Sequence, residues 1–232
     1  AFYDQASRQF ISGVSQVPTG VFSHVAVTVS GQELRFYLDG RPDGPIDEKG
    51  NDRRLGKAVS PLGADLDIGR NLIDAHFAGQ ISDVRIWQDA ASPEAIAAGR
   101  YRRLTGREPG LAGYWPLTKN PYDQLFDLTG NRNDGVMGGR ELVTQPVWMQ
   151  RDLLLTAAPA PVSAKSFHFD GVDHYLAARN VKGANLHALT LEAWVKWEQQ
   201  SPAEEQEIIA QGQESTGQAQ FRLGIDGGGR VV

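Results

Sequence analysis

The chain has 232 residues, of which 41% are hydrophobic and 22% are charged, the composition of an ordinary globular protein. Its net charge of -5 gives no electrostatic reason to expect a nucleic-acid partner. Cysteine is absent, so disulfides and thiolate metal sites are excluded. No apolar run approaches the roughly 20 residues that span a bilayer, and we therefore expect no membrane insertion.

The first part of the chain predicts paired strands around one long loop. Residues 22–40, FSHVAVTVSGQELRFYLDG, alternate apolar and polar side chains on both sides of Ser30-Gly31, which is the pattern of a hairpin. Further strands are predicted at 66–70 and 78–88. The intervening residues 41–64 are rich in Pro, Gly and charged side chains, and loops of this length often carry function.

One helix is predicted in the stretch SPEAIAAGRYRRL, residues 92–104. Ser92 is placed to cap its first turn, and Pro93 suits the first helical position. Arg100, Arg102 and Arg103 come near its end, where the helix dipole favours cations. We interpret these arginines as a solvated helix end, and the alternative interpretation is an anion or glycan site.

The second part of the chain predicts more strands and several turns. Strands are expected at 111–117, 166–178 and 189–198, whereas 119–139 is dense in turn-forming residues and 157–165 reads as a small-residue, Pro-rich loop. The protein is therefore predicted to be almost all β, with one short helix. Many short antiparallel strands joined by Gly and Asp turns favour a sandwich or jelly roll.

Several stretches of the sequence resemble motifs of a single family. They are YWPLTKNPYDQLFDLTGNRNDG, FHFDGVDHYLAA, LTLEAWVKW, and the group FSHVAVTVSGQELRFYLDG, LDIGR and FAGQISDVRIWQDAASPEAI. The family that they resemble is the bacterial laminin-G-like domains of the concanavalin A-like lectin/glucanase superfamily. The resemblance implies an all-β fold, a concanavalin A-like jelly-roll sandwich of two antiparallel sheets with one short helix.

The motifs stand in a permuted order relative to that family. Residues 1–105 resemble its C-terminal half and 111–232 its N-terminal half, with 106–110 as a connector. We expect a single laminin-G-like sandwich over 1–232, and the alternative is a piece of a tandem array. In the single sandwich, the opening residues 1–10 would complete the interrupted hairpin FRLGIDGGGRVV at 221–232, because chain ends of such domains are often close together.

No catalytic residues are predicted. Glycosidases of this superfamily need a pair of carboxylates facing one cleft, and the strand at 189–197 offers only Glu192, with Thr190 and Trp194 as its neighbours in register. The sequence also lacks an evident Ser/His/Asp order or a Gly-rich phosphate loop, and its five histidines are scattered. We therefore expect a protein that is not an enzyme.

Calcium is the metal for which the sequence offers ligands, because it prefers carboxylate, amide and carbonyl oxygens in loops. The candidate metal ligands are Asp127, Asp134, Asp170 and Asp173. The candidate residues for binding another ligand are Tyr122, Asn131 and Asn133. His174 stands where the family commonly has a second Asp, which departs from the pattern. The alternative is that these side chains only shape turns.

The favoured functional prediction is a non-catalytic recognition module that binds a glycan or a cell-surface protein. The resemblance implies an extracellular or cell-surface location, within a larger exported protein. One alternative is a structural spacer or assembly domain of a multidomain adhesin, toxin or fibre, whose partners would be neighbouring domains or strands exchanged between chains. Another alternative is a glycoside hydrolase or lyase with an unrecognised site.

Overall fold

The structure is a computed structural model that describes most of the chain. The described residues are 2–4, 9–47, 65–70, 76–117, 124–138, 146–157, 160–178, 181, 188–198, 205–213 and 218–232. The candidate ligand residue Tyr122 and the part of the predicted loop at 41–64 beyond residue 47 lie outside these ranges, as do parts of the predicted segments 1–10, 119–139 and 157–165.

The described secondary structure is almost entirely β. The strands are β1 (Phe2–Asp4), β2 (Gln9–Ser12), β3 (Phe22–Ser30), β4 (Glu33–Leu38), β5 (Arg41–Pro42), β6 (Ile46–Asp47), β7 (Asp65–Ile68), β8 (Ala78–Trp87), β9 (Leu111–Trp115), β10 (Gln124–Leu125), β11 (Gly135–Met137), β12 (Val147–Ala157), β13 (Ala160–Asp170), β14 (Leu176–Ala178), β15 (Ala188–Trp197), β16 (Gln206–Gln213) and β17 (Gln218–Ile225). The helix is α1 (Pro93–Gly99). Among the helices that the structure describes, none is long and apolar enough to span a bilayer.

Two large antiparallel sheets form the jelly-roll sandwich predicted from the sequence. The eight-stranded sheet has the order β12-β13-β8-β15-β3-β4-β5, with β9 also paired to β8, and the six-stranded sheet has the order β10-β11-β14-β7-β16-β17. A small third sheet, β1-β2-β6, was not predicted. The all-β fold with one short helix is confirmed.

Strands from the two parts of the sequence alternate within both large sheets. In the six-stranded sheet β7 lies between β14 and β16, and in the eight-stranded sheet β8 lies between β13 and β15. Residues 1–105 and 111–232 therefore supply each other's hydrogen-bonding partners within one chain. The permuted order, with 106–110 as its connector, stays a prediction.

The main core fills the space between the two large sheets. Alternation along β3 turns Val25, Val27 and Val29 inward, and these side chains are at most 4% exposed. They belong to the same buried cluster as Ile68 and Leu223 of the six-stranded sheet. The opposite face of the eight-stranded sheet carries the polar side chains described below.

The C-terminal hairpin is completed by a different segment from the predicted one. Val231 and Val232 return along Ile225 and Gly224, as expected for a hairpin. Residues 13–17 border this return segment: the N–H of Gly13 donates to the carbonyl of Val231 at 2.7 Å. The assignment to residues 1–10 was wrong for the part of this segment that the structure describes, because β1 pairs with β2 and β2 pairs with β6, whereas residues 13–17 lie beside the return segment.

Two local predictions from the sequence also need correction. The Pro-rich stretch 157–165 was predicted as a loop, but its described residues belong to the hairpin β12–β13. Pro161 is tolerated there because β12 is the one strand that pairs with β13 at that point among the residues that the structure describes. The helix begins as predicted, with Ala95 N–H donating to Ser92 Oγ at 3.2 Å, but it ends at Gly99 rather than near Leu104.

Replacing Gly79 with alanine should destabilise the sandwich. Gly79 has φ +136°, and an added Cβ would lie 2.1 Å from the carbonyl oxygen of Lys196 on β15. We expect Gly79→Ala to lower the free energy of unfolding by about 3 kcal/mol or more, measured by urea denaturation.

The matched control is Gly99→Ala, where an added Cβ meets nothing within 4 Å in the last residue of α1. Alanine is a better helix former than glycine, so the free energy of unfolding of this variant should rise by about 0.5–1 kcal/mol. Equal effects of the two substitutions would contradict the close approach of β8 to β15.

Candidate functional site

The outer face of the eight-stranded sheet, which points away from the core, carries a buried polar cluster. We call it the outer-face cluster. Its members come from β3, β8, β9 and β15, and each is at most 3% exposed; they are His24, Asp83, Arg85, Tyr114 and Glu192. Burying so many ionisable groups is costly unless their charges and hydrogen-bonding groups find partners.

Glu192 is the centre of the outer-face cluster. Its Oε1 accepts a hydrogen bond from Trp87 Nε1 at 2.8 Å and lies 3.4 Å from Arg85, while its Oε2 lies 3.1 Å from His24 Nε2. Burial by itself would raise the pKa of Glu192. The hydrogen bond with His24 and the positive charge of Arg85 outweigh burial and lower the pKa to about 2.

Asp83 is the second buried carboxylate of the outer-face cluster. It has φ +54° and lies where β8 carries one extra residue opposite β15, between the partners of Glu192 and Trp194. Asp83 forms an ion pair with Arg85 and accepts a hydrogen bond from the Tyr114 hydroxyl at 2.8 Å. Burial raises its pKa, although the charge of Arg85 opposes that effect.

The outer-face cluster holds the segment that follows α1 against the sheet. Arg85 donates to the carbonyl of Gly99 at 3.1 Å and to that of Arg102 at 2.7 Å, and Trp194 Nε1 donates to the carbonyl of Arg100 at 2.8 Å. These bonds satisfy carbonyls at the helix end, which explains why α1 stops at Gly99. The carboxylates of Asp83 and Glu192 are consequently covered.

Asp127, a predicted metal ligand, is saturated by hydrogen bonds within its own loop. Its Oδ1 accepts from the N–H groups of Tyr114 and Thr129, and its Oδ2 accepts from the Thr129 hydroxyl and the N–H of Asn133, at 2.8–3.0 Å. The carboxylate is buried at 6% exposure. Asp127 therefore links the loop at 127–134 to β9 by hydrogen bonds.

The other predicted residues of this loop also serve its internal geometry. Asp134 Oδ1 accepts the N–H of Asp127 at 2.9 Å. The amide groups of Asn131 and Asn133 both donate to the carbonyl of Ala112, at 2.8 and 3.2 Å. The structure thus brings these four predicted residues together, in an arrangement typical of Asx turns.

The predicted residues Asp170 and Asp173 lie together with His174, and ligand atoms of the three side chains are within 4.8 Å of one another. Asp170 Oδ1 accepts the N–H groups of Val172, Asp173 and His174 at 3.0–3.2 Å. Burial tends to raise the pKa of Asp170, but these three donors hold it below its usual value.

These loops supply a poor donor set for calcium. Calcium takes six to eight oxygen ligands, whereas the group at 170–174 offers two carboxylates and an imidazole nitrogen. One oxygen of Asp170 already accepts three backbone donors, and Asp127 is saturated. Among the described residues neither group fits calcium well, and the function proposed below does not depend on this ion.

A polar cleft lies at the edge of the same eight-stranded sheet. Its volume is about 480 Å³, and it is lined by Ser15, Leu38, Asp39, Arg41, Pro42, Asp43 and Arg100. We call it the edge cleft. The N–H of Ser15 donates to both carboxylate oxygens of Asp43, at 3.0 and 3.3 Å, and the N–H of His24 donates to Asp39 Oδ1 at 2.9 Å. Backbone bonds therefore fix the orientation of both carboxylates.

Aromatic stacking extends the edge cleft along the segment after α1. The guanidinium of Arg100 lies 4.4 Å from the centroid of the Tyr101 ring, which lies 5.2 Å from the ring of Trp194. Arg100 also donates to the carbonyl of Ala97. Tyr101 is 37% exposed, and it directly follows Arg100, which lines the edge cleft.

Sequence reasoning missed the outer-face cluster and the edge cleft. The signal for the cluster was present: His24, Arg85 and Glu192 are polar residues in the middle of predicted strands, where an isolated charge would be expensive. For the edge cleft there was no comparable signal, because Ser15, Asp43 and Arg100 are distant in sequence and meet only in the folded chain.

A family model described as the concanavalin A-like lectin/glucanases superfamily, Laminin_G_3, matches residues 1–97. The match confirms the predicted resemblance for that part of the chain. It includes β3, β4 and β8 and most of α1. No curated protein and no solved structure matches the chain.

Replacing Glu192 with glutamine should remove a pH-dependent stabilisation. Because the pKa of Glu192 falls from 4.5 unfolded to about 2 folded, its stabilisation is complete above pH 4.5 and is lost as the pH falls toward 2. We expect Glu192→Gln to lower the free energy of unfolding at neutral pH by on the order of 3 kcal/mol, and the deficit should shrink below pH 4.5.

Urea denaturation of wild type and variant at a series of pH values measures this deficit. Glu33→Gln is the control, since Glu33 is half-exposed and lies 3.9 Å from Arg35 in a surface pair. A deficit that does not vary with pH would contradict the role assigned to Glu192.

Replacing Asp127 with asparagine should destabilise the loop at 127–134 whether or not calcium is present. The introduced NH₂ group would face backbone or hydroxyl donors. We therefore expect the free energy of unfolding to fall by about 2 kcal/mol. Asp134→Asn disturbs one acceptor, so its free energy of unfolding should fall by less than that of Asp127→Asn. Melting temperatures in millimolar calcium and in EDTA should agree for all three proteins, and a rise with calcium would show that the loop binds this ion.

Proposed function

We propose that the chain is a non-catalytic recognition module of the concanavalin A-like type, and that it binds a glycan in the edge cleft. The observation that carries this proposal is the mixed lining of the cleft. Asp39 and Asp43 supply hydrogen-bond acceptors, and Arg41 and Arg100 supply donors. A ligand covered in hydroxyl groups, each both donor and acceptor, suits such a lining.

The aromatic ring beside the edge cleft supports a saccharide over other polar ligands. Tyr101 is 37% exposed, and its ring contacts the guanidinium of Arg100 and the ring of Trp194. A sugar presents apolar C–H groups on the faces of its ring and hydroxyls at its edge. Such a ligand can contact Tyr101 and the polar cleft together, because the tyrosine ring is apolar on its face and polar at its tip.

The edge cleft is pre-organised, which reduces the entropic cost of binding. The orientations of Asp39 and Asp43 are set by backbone N–H donors, and the backbone around Arg100 is held by the outer-face cluster. These contacts leave little side-chain freedom to lose when a ligand binds.

The arrangement of carboxylates supports the non-catalytic part of the proposal. Glycoside hydrolysis uses two carboxyl groups that flank the scissile bond. Asp83 and Glu192 are buried beneath the segment after α1, and both oxygens of Asp43 accept a backbone N–H. Within the described part of the chain, the geometry therefore favours binding over hydrolysis. An extracellular or cell-surface location, as implied by the laminin-G-like resemblance, belongs to the same proposal.

A second candidate function is a structural spacer in a larger protein, and the β12–β13 hairpin favours it. β13 pairs with β8 only at residues 167–170, whereas residues 160–166 have β12 as their partner strand. Among the described residues, the hairpin therefore extends beyond the sheet, and it would offer strand edges to a neighbouring domain or a second chain. The two functions are compatible, since the hairpin and the edge cleft involve different strands.

Filling the edge cleft should abolish glycan binding. Ser15 is exposed and contributes its backbone N–H to the cleft, so Ser15→Trp adds bulk without removing a buried contact. On an array of neutral and acidic glycans we expect the wild-type protein to bind a subset, and Ser15→Trp to weaken that binding about tenfold or more.

The control is Ser30→Trp, which places the same exposed side chain at the opposite end of β4 from the edge cleft. It should bind like the wild type. Absence of glycan binding by the wild-type protein would overturn the recognition proposal and favour the spacer. Release of sugar from any bound glycan would overturn its non-catalytic part.

A further inference from the structure

His24 lies between the outer-face cluster and the edge cleft, and it contacts both. Its side chain places Nε2 3.1 Å from Glu192 Oε2 inside the cluster. Its backbone pairs with the turn after β4: the N–H of His24 donates to Asp39 Oδ1 at 2.9 Å, and its carbonyl accepts the N–H of Asp39 at 2.8 Å. One residue therefore connects the buried charges to a carboxylate that lines the cleft.

The imidazole of His24 also reaches the other side of the edge cleft, through Trp194. The two rings meet edge to face, with centroids 5.4 Å apart and an angle of 65° between their planes. Trp194 in turn donates to the carbonyl of Arg100 at 2.8 Å, and its ring lies 5.2 Å from that of Tyr101. The position of the segment that follows α1 therefore depends on a ring that packs against His24.

The charge of the outer-face cluster depends on the protonation of His24. Histidine is the side chain whose charge ordinarily changes between pH 5 and 8. An imidazolium would join Arg85 in facing the two carboxyl groups of Asp83 and Glu192, whereas a neutral imidazole leaves Arg85 as their counter-charge. Within the described part of the chain, Nδ1 of His24 has no hydrogen-bond partner, so no second hydrogen bond fixes one protonation state.

Ionisable groups from several elements surround His24 and must be separated from it. Because the pKa of Glu192 is about 2, this carboxylate stays ionised between pH 5 and 8. Burial raises the pKa of Asp83, which makes Asp83 the second group of the cluster to be tested. The full set comprises Glu192 on β15, Asp83 and Arg85 on β8, Tyr114 on β9, Tyr37 on β4, and Asp39 and Arg100 at the edge cleft.

We propose that His24 is a positioning residue of the edge cleft, and that its protonation strengthens glycan binding as the pH falls from 8 to 5. This inference rests on the proposed glycan recognition and names a regulation of that site. An imidazolium pairs with Glu192 and lies within the roughly 6 Å at which a cation attracts an indole ring. Both contacts hold Trp194 in place, and with it the backbone of Arg100. A neutral imidazole weakens them, so more of the segment must become ordered when a glycan binds.

Linkage between binding and protonation provides a second readout. If the protonated form of His24 favours glycan binding, a bound glycan must favour the protonated form to the same extent. Binding near the middle of this pH range therefore takes up protons from the buffer, and the measured heat depends on the ionisation enthalpy of that buffer. A purely structural role of His24 would alter stability without such proton uptake.

Neutral polysaccharides test the proposal, because they carry no titrating group of their own. The probes are dextran, laminarin and galactomannan, measured by isothermal titration calorimetry at about pH 5.5, 6.5 and 8 in two buffers of different ionisation enthalpy. The proteins are the wild type, His24→Gln and the control His168→Gln. His168 also lies beside a carboxylate, 3.4 Å from Glu198, but it is on β13, away from the edge cleft. Circular dichroism and melting temperature establish that each variant folds.

We expect the wild type to bind at least one probe about fivefold or more tightly at pH 5.5 than at pH 8, the lower end of the range for linked sites. His168→Gln should behave in the same way. His24→Gln carries a neutral amide in place of the imidazole, so its affinity should not vary with pH, and its binding should take up no protons.

Nuclear magnetic resonance of the wild type without any glycan covers the case in which His24→Gln does not fold. The backbone amide signals of Arg100 and Tyr101 should shift with pH along the same curve as the imidazole signals of His24. That agreement would show that the protonation of a buried ring reaches the segment beside the edge cleft.

The possible failures are distinguishable from one another. A pH dependence that persists in folded His24→Gln would assign the effect to Asp83 and overturn the role of His24. Glycan binding of pH-independent affinity, or amide signals that do not follow the imidazole, would overturn this inference and leave the proposed glycan recognition standing. Absence of binding to every saccharide at every pH, including those of the glycan array, would overturn that recognition and this inference with it.

Discussion

The buried ion pair between Glu192 and Arg85 is the interaction on which the outer face of the sandwich depends. Each charge is removed from water, and each offsets part of the cost of burying the other. His24 and Trp87 satisfy the remaining oxygen positions of Glu192, and Asp83 shares the charge of Arg85. Without the carboxylate, Arg85 would be left in a low-dielectric environment with Asp83 as its counter-charge.

This pair links the fold to the surface where recognition is proposed. Arg85 uses its other donors on the carbonyls of Gly99 and Arg102, so the charge balance within the sheet determines where the chain runs after α1. That segment carries Arg100 and Tyr101, which form one side of the edge cleft and the ring beside it. The stability of the sheet and the geometry of the edge cleft are therefore coupled, and a change at Glu192 would alter the position of the residues at the cleft.

Much of the fold was predictable because strand alternation and turn chemistry are local. β3 and β4 lie where the alternation of 22–40 placed them, and the Ser92–Pro93 start of the helix is confirmed. The predicted loop at 157–165 was wrong because small residues and prolines are typical of loops, and a hairpin with a free edge tolerates them as well. The Asp127 loop shows a further limit of prediction from sequence. Carboxylates that could bind calcium and carboxylates that accept hydrogen bonds within turns occur in the same sequence patterns.

The amino-acid sequence by itself determined that the chain is an all-β sandwich with one short helix. It also showed that residues 1–97 match the concanavalin A-like superfamily. Both conclusions were possible because strand periodicity and family motifs depend on residues that are close together in the sequence. Only the tertiary structure decided which polar residues meet. Glu192, His24 and Arg85 come from three separate strands, and Ser15, Asp43 and Arg100 converge from three separate segments. Such contacts depend on strand order and register across the sheet, which pairs residues far apart in the chain and leaves no local signature.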